Sequence, residues 1–158
     1  MRIIESATEH EEAWKAALGC IVYEFAHIET RMFLMCALFL DTNSIEKIPL
    51  SKRIDKAIGF FKSTFPGRSA KLISILIELK QHAKFRNAVV HGGLTGFVSM
   101  RGTHPSRIFD SEFGEIFLEE VLSRLERIKD LHTQLNMQER ELDTLSIERA
   151  RYHTKSQK

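Results

Sequence analysis

Cysteine is scarce in this chain. Cys20 and Cys36 are its two cysteines, and they share no C-x-x-C spacing, which argues against a disulfide framework and against a zinc site. Both fall inside one apolar helical pattern and read as buried, reduced thiols of a cytoplasmic protein. Turn formers are few as well: eight glycines and three prolines in 158 residues leave little room for the frequent turns of an all-β fold. Every long apolar stretch is broken by Glu, His, Arg or Lys, so none reaches the roughly 18 residues of a membrane span. The opening Met1-Arg2-Ile3-Ile4-Glu5-Ser6 turns acidic within a few residues and lacks the apolar block of a signal peptide. A Gly-rich phosphate loop, G-x-S-x-G, H-E-x-x-H and the dinucleotide-binding fingerprint are all missing, so neither a cofactor nor a metal is expected. What remains is a chain that is 43% hydrophobic and 28% charged, the balance of one globular domain over residues 1–158 with enough apolar material for a real core.

Acidic residues are missing from one long stretch. From Leu79 to Phe109 there is no Asp or Glu, while Lys80, Lys84, Arg86, Arg101 and Arg107 supply five positive charges and His82, His91 and His104 lie among them. The formal net charge of +2 therefore hides a cationic segment on a mildly acidic body. A phosphate-bearing partner would require such a segment, because Lys and Arg exchange condensed counterions for direct contacts. The competing reading is that these bases pair with acids elsewhere in the fold.

Apolar periodicity organises the rest. From about Glu9 to Leu40, Leu18, Ile21, Val22, Phe25, Ile28, Met32, Phe33 and Cys36 recur at three- and four-residue steps, the stripe of an amphipathic helix. A second helix is expected from a Ser51 cap to Ser63, burying Ile54, Ala57, Ile58 and Phe61. A third starts at a Ser69 cap, buries Leu72, Ile75, Leu76, Leu79, Ala83 and Val90, and stops at Gly92-Gly93, where a left-handed cap costs little. Leu94–Met100 and Ser106–Phe109 have strand composition around the turn-prone Arg101-Gly102-Thr103-His104-Pro105, which predicts a short hairpin. A long final helix, capped by Ser111, carries Ile116, Phe117, Val121, Leu122, Leu125, Ile128, Leu131 and Leu135 on its apolar face. Residues 138–158 form a charged extension, either a solvated continuation of that helix or a partner-contacting segment. The expected fold is all-α: a bundle of four main helices with a short β-hairpin-like insertion before the last.

One constellation stands out. The third helix ends Phe85-Arg86-Asn87-Ala88-Val89-Val90-His91-Gly92, with Arg86 inside the apolar stripe, about 40° from Val90. A guanidinium there needs a partner, a ligand or a water-filled cleft. Glu29 is the candidate partner, because it falls between Phe25, Met32, Phe33 and Cys36 on the first helix, whereas Glu24, His27 and Arg31 lie on the opposite side. The pair either locks helix register or orients Arg86 toward a phosphate. Asn87 and His91 are neighbours at i and i+4, and His91 sits where the helix dipole favours the imidazolium and two glycines leave open space.

Arg86-Asn87-Ala88-Val89-Val90-His91 resembles the R-x4-6-H signature of the HEPN superfamily, in its common form with a polar residue directly after the Arg. The resemblance covers roughly residues 10–137 and includes the glycine after the His and the closing amphipathic helix. It implies metal-independent RNA cleavage by a homodimer whose two motif helices face each other. An apolar surplus on the first and third helices agrees with that dimer. By position, His91 would handle the 2′-hydroxyl or leaving-group proton, Arg86 would hold the scissile phosphate, and Asn87 would orient one of them. Lys80, Lys84, Arg101 and Arg107 would contact RNA. A toxin or phage-defence effector is one role in keeping with the resemblance, which leaves room for an antitoxin or regulatory protein as a partner. One branch of the family carries a Tyr two residues after the His; this chain has Gly93 there. The alternative from another class is a non-catalytic bundle that binds nucleic acid or protein through the same basic edge.

Overall fold

The computed structural model describes residues 7–39, 47–67, 69–99 and 102–155. The order of elements is α1 (Ala7–Phe39), α2 (Leu50–Thr64), α3 (Ala70–His91), β1 (Gly93–Ser99), β2 (Gly102–Asp110), β3 (Gly114–Phe117) and α4 (Leu118–Lys155). Four helices therefore make the bundle, and a small antiparallel sheet interrupts it before the last, as the sequence predicts.

The helices bury the residues that their periodicity selects. On α1, Trp14, Ala17, Ile21, Phe25, Ile28, Met32, Met35 and Cys36 are buried, a stripe at the three- and four-residue steps of a 3.6-residue turn. Ile54, Ala57 and Phe61 of α2, Leu72, Ile75, Leu76, Leu79 and Phe85 of α3, and Val121, Leu125, Ile128, Leu131 and Leu135 of α4 complete one core. Val22, Val90 and Leu122, assigned to apolar stripes by sequence, are exposed instead. Cys36 is buried, and that burial pushes its thiol pKa up; Cys20 is exposed, contrary to expectation.

Helix starts differ from the sequence reading in three places. Pro49, not Ser51, occupies the N-cap of α2, and its carbonyl accepts from the N–H of Lys52 and of Arg53 at 3.0 Å. Ser69 does precede α3, but its hydroxyl donates backwards, to the carbonyls of Phe61 (3.1 Å) and Phe65 (2.9 Å), closing the end of α2 rather than the start of α3. Ser111 caps nothing: Ile116 and Phe117 belong to β3, and α4 begins one residue later. The turn before β3 is built by Asp110, whose Oδ1 accepts from the N–H of Glu112 (2.8 Å) and Phe113 (3.1 Å), with Gly114 at φ 72° supplying a left-handed residue.

The sheet has the order β1-β2-β3, with antiparallel pairing throughout. Gly93 lies opposite Phe109, Thr95 opposite Arg107, and a register shift follows between Thr95 and Gly96. Ile108 pairs with Ile116, and both are fully buried toward the bundle. Phe109 and Phe117, of the opposite face, are exposed. The hairpin is thus longer than predicted and gains a third strand, because its inner face has Ile108 and Ile116 to bury. The C-terminal segment continues α4 as far as Lys155. No helix among the described residues is long and apolar enough to cross a membrane.

Candidate functional site

The candidate residues sit at the C-terminal end of α3, where it passes α1 and gives way to the sheet. Arg86 reaches α1: its Nη2 donates to Glu29 Oε1, and its guanidinium lies 5.5 Å from the Phe25 ring. The cross-bundle pair expected from sequence is therefore formed. Neither side chain is deeply buried, with Arg86 25% and Glu29 37% exposed, so the pair sits at the rim of the core within reach of water. Arg86 Nε is buried without a hydrogen-bond partner among the described residues, a donor that the Glu29 contact leaves unused.

Asn87 and His91 are exposed, on a different side of the helix from Arg86. Five residues separate Arg86 from His91, which is about 140° around the axis and about 7.5 Å along it. Within one chain the guanidinium thus faces α1 while the imidazole faces solvent beside Asn87. The open space expected after His91 is filled. Gly92 is extended (φ −66°, ψ 148°), not left-handed, and a Cβ there would lie 2.4 Å from the Ala88 carbonyl oxygen and 2.4 Å from Ile108 Cγ2. The glycine is required for close approach of β2 to the helix end, not for a positive φ.

Lys80 and Lys84 stand on the solvent side of α3, a stripe that also carries Gln81, Asn87 and His91. They border a cavity of about 510 Å³ between α3, α4 and the turn after β2. Arg107 is paired with Glu115 at 2.7 Å; Arg101 lies outside the described residues. The acid-free segment draws its carboxylates from elsewhere: Lys80 pairs with Asp55 (2.6 Å), Lys84 with Glu112 (2.9 Å), Arg86 with Glu29 and Arg107 with Glu115. Folding therefore compensates every one of its four cations that lie among the described residues.

Sequence reasoning missed a second polar seam. Glu24 and Arg31, assigned to the far side of α1, face α4: Glu24 Oε2 is 2.8 Å from His132 Nδ1, and Arg31 Nη1 donates to Glu139 at 2.6 Å. His27 stacks on His132 at 5.8 Å and meets Tyr23 edge-on at 4.5 Å. α1 packs against α4 as well as against α2 and α3, and a one-stripe reading of its wheel cannot show that second face. Between α3 and α4, His82 is buried and its pKa is lowered, first by desolvation and then by the nearby Arg124 charge. Arg127 beside Glu78 holds that carboxyl below the usual range. Among the described residues no three His, Cys, Asp or Glu side chains gather as a metal site would need.

No family model matches the chain, and neither a curated protein nor a solved structure matches it.

Proposed function

We propose that the chain is a metal-independent endoribonuclease that acts as a homodimer in the cytoplasm, with Arg86, Asn87 and His91 in its active site and Glu29 supporting them. The observation that carries this reading is the contrast on one helix end. A guanidinium anchored by Glu29 over Phe25 stands a turn from an exposed imidazole flanked by an exposed amide. A fixed, partly uncommitted guanidinium suits a phosphate whose charge grows during reaction. An imidazole can serve as general base and general acid near neutral pH.

The reaction follows from those roles. His91 takes the proton of a 2′-hydroxyl, and that oxygen attacks the adjacent phosphorus. The bond from phosphorus to the 5′-oxygen breaks, a proton returns to that oxygen, and the products are a 2′,3′-cyclic phosphate and a free 5′-hydroxyl. Arg86 binds the pentacoordinate phosphate, and Asn87 orients the imidazole. DNA, without the hydroxyl, does not react. Because Arg86 and His91 diverge within one chain, two α3 ends facing across a twofold axis complete each cleft. Exposed apolar side chains at this end and on the adjoining sheet, Val90, Phe109 and Phe117, support such a contact. A toxin or phage-defence role, restrained by an antitoxin or regulatory protein, fits an RNA-cutting enzyme of this kind.

Compensation of the basic segment favours a second reading, a non-catalytic bundle in which the Glu29–Arg86 pair only locks α1 to α3. One assay separates the two: incubation of the purified protein with single-stranded RNA in EDTA, scored for cyclic-phosphate ends. Cleavage that falls at least about 100-fold in His91→Ala supports the enzyme. In Glu29→Gln, lost activity with retained folding supports a positioning role, whereas equal loss of both supports the lock. RNA left intact by the wild-type protein overturns the proposal.

A further inference from the structure

The cavity beside α3 has a composition that the cleavage chemistry does not use. Its back is Arg124 of α4, whose guanidinium lies 4.2 Å from the ring of Phe85 and 5.5 Å from that of Phe113. Phe85 and Phe113 meet edge-on at 5.5 Å and 87°, so the arginine sits in an aromatic corner. Lys80, Gln81 and Lys84 rise along one wall. Phe113 and Glu112 form the lip, on the turn that Asp110 fastens. About 510 Å³ falls within the range of small-molecule sites.

Charge in this cavity is adjustable. Lys84 is held by Glu112, and both side chains are more than half exposed; Lys80 is held by Asp55 across to α2. Arg124 keeps Glu120, one turn before it on α4. Exposed pairs of this kind contribute little, so a dianionic or diester phosphate can take the place of Glu112 on Lys84 without a large loss. The planar, cationic Arg124–Phe113 corner offers what a nucleobase stacks on, and the Gln81 amide can both donate to and accept from a base edge. A phosphate on two lysines and a flat ring against arginine and phenylalanine together describe a nucleotide.

We propose that this cavity is a nucleotide subsite for single-stranded RNA, with the phosphate on Lys80 and Lys84 and the base against Arg124 and Phe113. The subsite rests on the proposed function for RNA as the strand, not for its cleavage. Lys84 and His91 share the solvent side of α3, seven residues and about 10.5 Å apart along the axis. A strand seated in the cavity therefore runs along Asn87 to the imidazole, and the subsite selects the nucleotide flanking the cut.

The test is binding of a fluorescent 2′-O-methyl oligoribonucleotide, which cannot be cut, to the full chain, measured by anisotropy against salt. Lys80→Ala with Lys84→Ala weakens binding at least about 10-fold and flattens the logarithmic salt slope by about 1.4. Phe113→Leu, which keeps apolar bulk, weakens it about 5-fold or more for the base-bearing strand and leaves an abasic strand of equal length unchanged. Glu112→Gln, which releases Lys84, tightens it. Thermal melts confirm that each variant is folded. Wild-type affinity in the double lysine variant and in Phe113→Leu overturns the subsite, even if unmodified RNA is still cut. Adenosine 5′-monophosphate binding as tightly as the strand overturns it in favour of a free nucleotide. A strand that binds as expected while unmodified RNA stays whole leaves the subsite standing and removes the nuclease.

Discussion

At residue scale, Gly92 shows how a sequence signal can be right in identity and wrong in cause. A glycine after a helix suggests a left-handed cap, yet its backbone is extended and its missing side chain makes room for Ile108 and the backbone of β2. Gly92→Ala is expected to destabilise the fold by about 1–3 kcal/mol, the usual cost of overpacking, read as a shift in the urea midpoint. A substitution without effect would mean that β2 does not close on the helix end. Arg86 is the contrary case. Its partner was legible because a charge inside an apolar stripe must be neutralised, and Glu29 is the charge that the facing stripe offers.

At the scale of elements, the α3–α4 seam links stability to pH. The His82 pKa lies below its ordinary 6.5, because burial and Arg124 disfavour the imidazolium. The unfolded chain therefore binds a proton in a range where the folded chain does not. Stability from this group is complete above about pH 6.5 and is lost as pH falls from there toward the folded-state value. Glu78, held down by Arg127, adds a loss that begins only near the ordinary glutamate range, around 4.5. Urea unfolding at pH 7.5 and 5.5 should show a drop in stability that His82→Gln reduces; an equal drop in the variant would remove His82 as its source. None of this was visible in sequence, where His82 was one histidine in a basic stretch. α4 supplies the burial and the opposing charge, and α4 is more than thirty residues away along the chain.

For the whole molecule, the proposed homodimer makes a claim about an outer surface. Phe109 and Phe117 project, exposed, from the sheet face opposite Ile108 and Ile116, and Phe109 lies opposite Gly93, just after α3. Phe109→Glu is expected to convert a dimer into a monomer by light scattering, and to lower RNA cleavage with it while the melting temperature stays near wild type. A wild-type protein that is monomeric at micromolar concentration would leave each Arg86 and His91 about 140° apart on its own helix, and the shared cleft would be lost.

Four helices, the main apolar stripe of each and the position of a strand-forming interruption were determined by sequence alone. These depend on periodicity and turn chemistry within a few residues, which tertiary contacts need only respect. The Glu29–Arg86 pair belongs with them, since each charge interrupts its own stripe. Tertiary structure alone decided the rest: which second side of α1 is covered, so that Glu24 and Arg31 face α4; where the acids that neutralise the basic segment come from; that Ile116 and Phe117 extend a sheet instead of a helix; and that Lys80, Lys84, Phe113 and Arg124 share one cavity. Each joins residues distant in the chain, and a periodic pattern says which face of an element is apolar but not which neighbour comes to meet it.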